Sequence, residues 1–574
     1  MKTKITSFIA ATLVAASCSS GFMEEYSQDL SRVQSADDLN ELLMGDCTMP
    51  LSYFYYNYGG YTENEHYLLL HFLGDELQEA KGFSLKPSGQ YNIRRYFAFY
   101  TWQRDAYIDD EGAETYKNEE EYYWNLAYQK INNCNMVIEA AEELSTSSDD
   151  DERLRRHVMG ECHYLRAVYY SLLVNLYAKP YAPATAATTP GVPVKTTGEV
   201  VDAEFSRNSV AEVYQQITAD LDKAEQLLAD VSVPSSIYHV GINAVYIQRS
   251  RMALYMQDWA TAKRYAELAL SQSDYLQDMR GWSADNYPMS DKNKEVLYSN
   301  GASCFGNLIF ESPGRKSSYY YNYSPVYAVA DNLVALYDDN DGRKRGYITD
   351  NDDVSNSPAN WTYHKIDNSR ESWGTYKTVS DVFSIRTAEA YLNLAEAEAQ
   401  LGNDGAACQW LTKLRQRRID GDATVSLSGG QLMEFLRDER QRELCFEGHR
   451  WFDLRRYQVD VKHPYSKAIV HSYTWYVTVD YDNIADHTSY YRLEPNDDAY
   501  TLDIPKNTKD FQISIGSNPR PDRQPFETEN RRDWRLKIED YEKDTHIISN
   551  AHDVGHSADI MQRRRRHIAK QCRG

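Results

Sequence analysis

The segment from Glu439 to Tyr457 reads ERQRELCFEGHRWFDLRRY and concentrates charged and apolar side chains within a short length of chain. Helical spacing would place the carboxylates of Glu443 and Glu447 one turn apart on a single helix. Forked guanidinium–carboxylate pairs fix geometry as well as charge. The segment and the turn before it supply six arginines: Arg437, Arg440, Arg442, Arg450, Arg455 and Arg456. We therefore predict an arginine–carboxylate network at a helix end, with apolar residues facing inward at Leu444, Phe446, Trp451 and Phe452.

Two carboxylates one turn apart also suggest the acid–base pair of a glycosidase. A general acid needs a raised pKa, whereas nearby arginines favour the ionised form and lower the pKa of a carboxyl group. A structural role is therefore favoured for Glu443 and Glu447. A surface glycoside hydrolase remains the alternative function, and it would need two carboxylates in a cleft outside this network.

Helical periodicity dominates on both sides of this segment. Apolar residues recur at intervals of three and four in the stretches 124–138 and 154–172. Helix pairs of about 34 residues with alternating large and small residues are typical of tetratricopeptide-like repeats. We predict a mostly α fold, with a tetratricopeptide-like helix-pair scaffold over about 119–271 and 381–456.

Three long stretches interrupt this pattern, at 48–118, 275–380 and 457–525. They are rich in Tyr, Asn, Asp and Gly and show no sustained helical or strand period. Loops of this length are usually functional insertions on a scaffold. Residues 527–574 differ in composition again and are predicted to form a poorly ordered tail.

The composition of the 574 residues narrows the function classes. There are 62 basic and 85 acidic residues, a net charge of −23, which argues against a protein that binds the nucleic-acid backbone. No apolar run reaches the roughly 18 residues of a membrane-spanning helix. Tyrosine counts 47 against 16 phenylalanines. Rings with a polar edge suit wet interfaces and sugar faces, although packing between helices explains most of them.

The first twenty residues resemble a lipoprotein signal. Lys2 and Lys4 precede a short apolar region, and small residues lead directly to Cys18. In bacterial lipoproteins such a cysteine carries the lipid anchor. Ala15 stands where Leu is preferred, and an ordinary secretory signal with an accidental cysteine is the alternative. We expect residues 1–17 to be removed, Cys18 to be lipidated, and membrane contact to occur through the anchor alone.

The segment around Glu447 resembles a motif of the SusD/RagB family of Bacteroidetes outer-membrane lipoproteins. The matching residues are Glu439, Arg440, Glu443, Leu444, Phe446, Glu447, Gly448, Arg450, Trp451, Asp453, Leu454 and Arg456. Further stretches agree in family order, among them 124–135, 160–167, 386–397 and 502–505. The resemblance covers 18–526. At its end only Asn518–Pro519 remains of the expected Gln-Asn-Pro-Gly-Tyr.

This resemblance implies a non-catalytic glycan-binding lipoprotein on the outer membrane that faces the cell exterior. It would capture an oligosaccharide or polysaccharide and pass the sugar to a SusC-like TonB-dependent transporter. A peptide-binding tetratricopeptide-type scaffold is a further alternative.

No cofactor and no metal site are predicted. The cysteines lack metal-site spacing and suggest no disulfide framework. His552 and His556 lie four apart in the tail with no third ligand nearby. Asp338–Arg343 reads DDNDGR and lacks the order of an EF-hand. A calcium ion at such an acidic loop is left open.

Ligand binding is predicted in the two loop-rich regions 48–118 and 275–380, which correspond broadly to the ligand loops of the family's starch-binding prototype. Exposed rings stack on sugar faces, and polar side chains bind hydroxyl groups. Trp102 and Trp282 are favoured because indole offers the largest stacking face. The tyrosine run near 320 is alternatively a strand with one buried face. The predicted ligand-binding residues are Asp75, Arg94, Tyr96, Trp102, Trp282, Tyr319, Tyr320 and Tyr321.

Overall fold

A computed structural model describes most of the chain between residues 33 and 528. The described ranges are 33–49, 54–57, 60–63, 69–80, 94, 96–106, 108–112, 117–199, 201, 203–231, 236–301, 327–350, 361–366, 379–380, 382, 384–479 and 482–528. Its α-helices, numbered in chain order, are α1 (Ala36–Leu42), α2 (Leu69–Leu73), α3 (Lys117–Glu143), α4 (Asp149–Tyr177), α5 (Val210–Leu228), α6 (Ile242–Tyr255), α7 (Trp259–Gln272), α8 (Asp331–Val334), α9 (Arg343–Gly346), α10 (Thr387–Gln400), α11 (Asp404–Arg415), α12 (Gly429–Leu444), α13 (Arg450–Gln458) and α14 (Lys506–Phe511).

The long helices pack as neighbours along the chain, which confirms the predicted mostly α fold of helix pairs. α3 packs on α4, α4 on α5, and α6 on α7, while α10 contacts α7, α11 and α12. Ser209 begins α5 with a capping box to Glu212, and Asp258 caps α7. Small residues allow close approach between helices, and the buried alanines of α7 and α10 include Ala262, Ala266, Ala269, Ala388, Ala395 and Ala399.

Short strands join distant parts of the loop regions. They are β1 (Phe54–Asn57), β2 (Gly60–Glu63), β3 (Leu77–Glu79), β4 (Val296–Tyr298), β5 (Tyr327–Val329), β6 (Ile348–Asp350), β7 (Trp361–Tyr363) and β8 (Ile385–Arg386). β3 pairs with β5, β4 with β8, and β6 with β7, all antiparallel. The insertions are therefore tied to one another by two-stranded ladders.

The prediction that 457–525 is irregular was wrong for its central part. β9 (Ile469–Val479) and β10 (Asp482–Leu493) form a long antiparallel hairpin, and β11 (Glu527–Thr528) adds a third strand beside β10. The buried face contains His471 and Tyr473, whereas Val470 on the other face is 48% exposed. Because polar and apolar residue types occur on both faces, the period of two is hidden in the sequence.

The prediction that Glu443 and Glu447 lie one turn apart on a single helix was also wrong. α12 ends at Leu444 and α13 begins at Arg450. Between them Phe446 and Gly448 have positive φ values of 59° and 79°. Residues in the left-handed conformation interrupt the helix, so the motif consists of two helices joined by a turn, which we call the corner.

Among the described residues, no helix is long and apolar enough to cross a membrane. Cys47, Cys134, Cys162, Cys408 and Cys445 are free and buried. The predicted signal segment, Cys18 and almost all of the predicted tail 527–574 lie outside the described residues.

Candidate ligand-binding site

Glu443, in the last turn of α12, lies at the centre of a buried ion-pair network. Its carboxylate accepts hydrogen bonds from Arg386 at 2.6 Å, Arg418 at 2.9 Å and Arg343 at 2.9 Å. The hydroxyl of Tyr347 donates a further bond at 2.9 Å. Burial alone would raise the pKa of Glu443, but the three guanidinium groups outweigh it and hold the pKa well below its ordinary value. This carboxylate is ionised and committed to structure.

The predicted arginine–carboxylate network is present, but the partners of Glu443 come from outside the motif. Arg343 begins α9, Arg386 lies in β8, and Arg418 follows α11. The motif's own arginines pair elsewhere: Arg440 with Asp453, Arg442 with Glu439, Arg450 with Asp75, and Arg456 with Glu396 and Asp453. Glu443 and its three arginine partners therefore join four separate segments of the chain.

The corner after α12 presents Glu447 to a second set of cations. Lys365 Nζ lies 2.6 Å and Arg386 Nε 2.7 Å from its carboxylate. Burial opposes ionisation, yet these cations lower the pKa of Glu447. A Cβ on Gly448 would meet Val382 Cγ1 at 3.1 Å in a conformation with positive φ. Only glycine satisfies both demands at this position without strain.

The structure contradicts the prediction that Asp75 binds ligand. Asp75 is 5% exposed. Its two oxygens accept from Arg450 Nε and Nη2 at 2.6 and 2.8 Å, and Lys467 also pairs with it. Burial alone would raise the pKa of Asp75, but the effect of Arg450 and Lys467 is larger, so the pKa lies below its ordinary value. The negative charge of Asp75 is therefore balanced by cations of the protein itself.

Trp102 and Tyr96 are also corrected, because both rings are buried. Trp102 is 0% exposed, stacks on His471 with centroids 4.4 Å apart, and donates its indole N–H to Leu73 O at 3.0 Å. Tyr96 stacks on Phe72 at 4.1 Å. A sugar would have to unpack the core to reach either ring. Sequence could not distinguish these core aromatics from exposed ones, since both lie in the same irregular stretch.

Arg94 and the tyrosine run remain predictions. The Arg94 side chain is 29% exposed, and it pairs with Asp109, Asp110 and Glu111 at 2.7, 2.8 and 2.9 Å. Tyr319, Tyr320 and Tyr321 lie outside the described residues.

Trp282 is half-buried at the surface of the predicted second loop region. Its indole N–H donates to Asn286 O at 2.9 Å, and Arg345 Nε donates to its carbonyl oxygen at 3.0 Å. A Cβ on Gly346 would lie 3.0 Å from Trp282 Cδ1 and 2.4 Å from Met279 Cε. The ring is thus held against α9 with part of its surface open.

Three further partly exposed rings belong to the same loop region. Tyr287, 36% exposed, lies against His364 with ring centroids 4.4 Å apart. His364 contacts Ala284 O at 2.7 Å, and Lys344 Nζ lies 5.8 Å from the ring of Trp361. We call Trp282, Tyr287, Trp361 and His364 the aromatic patch. Partly exposed rings beside cationic side chains offer stacking faces together with hydrogen-bond donors.

Residues 278–520 match the family described as SusD family, and residues 71–254 match the one described as starch-binding associating with outer membrane. The chain belongs to the SusD family. The aromatic patch lies within the first matched range, as does the corner between α12 and α13.

Relatives of this SusD-family chain are distant in sequence. SusD-like protein P2 of Formosa agariphila is 25% identical over 381 residues, which cover 58% of this chain and 71% of that protein. A SusD-like carbohydrate binding protein from Bacteroides vulgatus superposes with a TM-score of 0.60 at 22% identity, covering 84% of this chain and 97% of the other. Surface glycan-binding protein A from Bacteroides uniformis gives 0.59 at 16% identity, with coverages of 84% and 99%. These two structural likenesses concern the fold.

Sequence reasoning did not single out Tyr287, Trp361 and His364, although all three lie within the predicted loop region 275–380. No spacing marks these residues, because the segment 361–366 meets the segment 282–289 only through tertiary contacts, such as His364 with Ala284 O and the bridge between Met289 and Ile366. The SusD-family scaffold also contains an internal cavity of about 60 Å³ between α4, α6 and the corner after α12. Such a volume holds a few water molecules and is far below the size of a sugar-binding pocket.

Proposed function

We propose that this protein binds glycan at the outer face of the cell through the aromatic patch. The observation that carries the proposal is a set of partly exposed rings in one loop region. Tyr287 lies against His364, and the neighbouring cations Lys344 and Arg345 contact Trp361 and the backbone of Trp282 respectively. Sugar rings present apolar C–H faces and polar edges, so ring stacking with polar contacts at the rim is the matching chemistry. The carbohydrate and glycan binding named for two structural neighbours supports this choice.

We propose binding without hydrolysis. Glu443 and Glu447 are the carboxylate pair that the sequence suggests for glycoside hydrolysis. Both are buried and have lowered pKa values, whereas a general acid requires a raised pKa. Incubation with the bound glycan should therefore release no reducing ends.

The proposal includes anchoring through a lipid on Cys18 and transfer of sugar to a SusC-like TonB-dependent transporter. The outer-membrane association in the description of the family matched by 71–254 supports the location. Co-purification of the transporter with the detergent-extracted, epitope-tagged protein tests the partnership, and a pull-down free of any TonB-dependent barrel would count against it.

Glycan binding is tested by affinity electrophoresis against a panel of polysaccharides, followed by isothermal titration with the best ligand. Trp282→Ala and Trp361→Ala should each weaken binding at least about fivefold, because stacking on an aromatic ring is worth roughly 1–3 kcal/mol. Trp259→Ala, at the first position of α7 and outside the patch, removes an equally large ring and should leave affinity unchanged. Wild-type affinity in both patch variants would reject this site.

A further inference from the structure

Two histidines and a glutamate converge on one point at the side of the helical scaffold. His157 and Glu161 lie one turn apart on α4, and His239 lies just before α6. His157 Nε2 is 2.5 Å and His239 Nδ1 is 2.9 Å from the same carboxylate oxygen of Glu161. These three ligand atoms all lie within 4.8 Å of one another. Nothing in the glycan-binding proposal uses them.

The charge balance of this cluster differs from that of the other buried carboxylates. Glu161 is 1% exposed, and its second oxygen accepts the backbone N–H of Val240 at 3.0 Å. Within the described part of the chain no lysine or arginine pairs with Glu161, whereas Glu443 and Glu447 each contact several cations. A buried carboxylate flanked by two imidazoles lacks a permanent counter-charge. A divalent cation would supply one.

We propose that His157, Glu161 and His239 form a binding site for one Zn²⁺ ion. Zinc favours imidazole nitrogen and carboxylate oxygen in tetrahedral geometry, and three protein ligands leave a fourth position for water. The His239 side chain is 25% exposed, so an ion can reach the cluster from solvent on that side. Calcium and magnesium are disfavoured because they take sets of oxygen ligands.

The geometry needs only a small adjustment to admit the ion. Ligand atoms at roughly 2.1 Å from a tetrahedral zinc lie about 3.4 Å apart, so the present separations of 2.5 and 2.9 Å must open by less than about 1 Å. To bind the metal, each imidazole must be neutral and carry its proton on the other ring nitrogen, which is Nδ1 in His157 and Nε2 in His239. The remaining nitrogens then direct lone pairs at the metal, and any further proton passes to solvent. Glu161 stays oriented by Val240, the outer-sphere contact that zinc ligands commonly have.

Bound zinc would fasten the segment before α6 to α4. His239 and Glu161 are 78 residues apart in the chain, and the intervening residues include all of α5. A ligand that binds only the folded protein raises its stability. The bound metal would therefore act as a cross-link between α4 and the segment before α6, separate from the proposed glycan site.

A second group, Cys47, Cys134 and Cys162, also brings three ligand atoms together. All three cysteines are 0% exposed, and they lie on the π-helix Leu43–Cys47, α3 and α4. This sealed position offers no route for an ion without opening the core, so the cluster at His239 is the better candidate. The experiment below therefore tests these three cysteines as the competing zinc site.

The test uses tag-free full-length protein stripped of metal with a chelator. Titration with ZnCl₂ followed by calorimetry, and with Co²⁺ followed by visible absorption, should reveal one saturable site with tetrahedral character. His239→Ala should weaken zinc binding at least about tenfold, since loss of even an outer-sphere partner costs that much. It should also abolish the zinc-induced rise in melting temperature. His239→Cys, which restores a zinc ligand, should recover binding.

His487→Ala removes a partly exposed histidine outside the cluster and should bind zinc like the wild type. His239 is chosen because its partial exposure lets the variant fold, and circular dichroism of each variant verifies this. Absence of saturable one-to-one binding by the wild type would overturn the proposal. Full zinc affinity in His239→Ala, or loss of binding in Cys162→Ser alone, would overturn it as well.

Discussion

Asp75 and Arg450 form a buried two-point ion pair, in which Nε and Nη2 of the arginine donate to the two carboxylate oxygens at 2.6 and 2.8 Å. The two residues are 375 positions apart. The pair ties the first loop region to the start of α13. It also explains why Asp75 has a structural role: both of its oxygens are occupied within the protein.

Asp75→Asn should destabilise the protein by about 3–5 kcal/mol, because it leaves the buried guanidinium of Arg450 beside a neutral group. Urea unfolding measures the change. Asp339→Asn is the matched control, since the Asp339 side chain is 99% exposed and pairs only with Lys344 among the described residues. This substitution should leave the free energy of unfolding nearly unchanged, because water screens an exposed pair. Equal effects of the two substitutions would refute the assignment of Asp75.

Gly448→Ala should destabilise more than Gly402→Ala. Both glycines have positive φ, 79° and 85°, so each alanine incurs the backbone cost of about 1–2 kcal/mol. A Cβ at Gly402 has no atom within 4 Å, whereas one at Gly448 meets Val382 at 3.1 Å. The difference between the two free energies of unfolding isolates the steric contribution at the corner. A smaller effect at Gly448 would contradict its close packing.

Glu76→Gln should remove part of the loss of stability that occurs as the pH rises from about 4.5 to about 8. Burial raises the pKa of Glu76 to about 8 from its ordinary value of 4.5, although the N–H of Phe446 partly offsets this. The native state therefore holds an extra proton between these values, and stability falls as pH rises through that window, by an amount on the order of a few kcal/mol. Glutamine keeps the acceptor for Phe446 without the charge.

Denaturation at pH 5 and pH 8 measures this effect. The variant should lose less stability than the wild type between the two pH values. Glu79 contributes the same trend in both proteins, because burial raises its pKa to about 7. Glu41→Gln, a substitution of an exposed carboxylate on α1, should leave the pH dependence unchanged. If the free energy of unfolding of Glu76→Gln changed with pH as much as that of the wild type, Glu76 would be ionised in the folded protein.

Gly346→Ala should reduce glycan affinity without removing a ring. The added Cβ overlaps Met279 Cε, which must move, and lies 3.0 Å from Trp282 Cδ1, so the indole must shift by a few tenths of an ångström. We expect a smaller loss of affinity in titration than that of Trp282→Ala, because the ring is displaced and not removed. Gly405→Ala, on α11 with no atom within 4 Å of its Cβ, is the control. Unchanged affinity in Gly346→Ala would separate Trp282 from the binding surface.

Cys18→Ala should convert the protein from a membrane-bound to a soluble exported form, because a lipid on this residue is the proposed anchor. Membrane fractionation and incorporation of labelled fatty acid measure the two consequences. Persistent outer-membrane association of the variant, together with an unlabelled wild type, would disprove lipidation at Cys18.

The sequence alone was sufficient for the family and for the mostly helical scaffold. Local properties of the chain can be recognised from the sequence alone. They include the helical period of 3.6 residues, capping residues such as Ser209, and alanines at regular helical spacing. The motif 439–457 was recognisable for the same reason. The arginine–carboxylate chemistry also followed from composition, since charges of both signs at this density must pair when buried.

Only the tertiary structure decided which charge meets which and which rings remain open. Glu443 draws its arginines from positions 343, 386 and 418, and Trp102 is sealed by His471 while Trp282 keeps part of its face at the surface. The cluster of His157, Glu161 and His239 likewise forms only when the segment after α5 returns to α4. Such contacts depend on loop paths that carry no periodic signal, and an aromatic residue has the same letter whether it packs inward or outward.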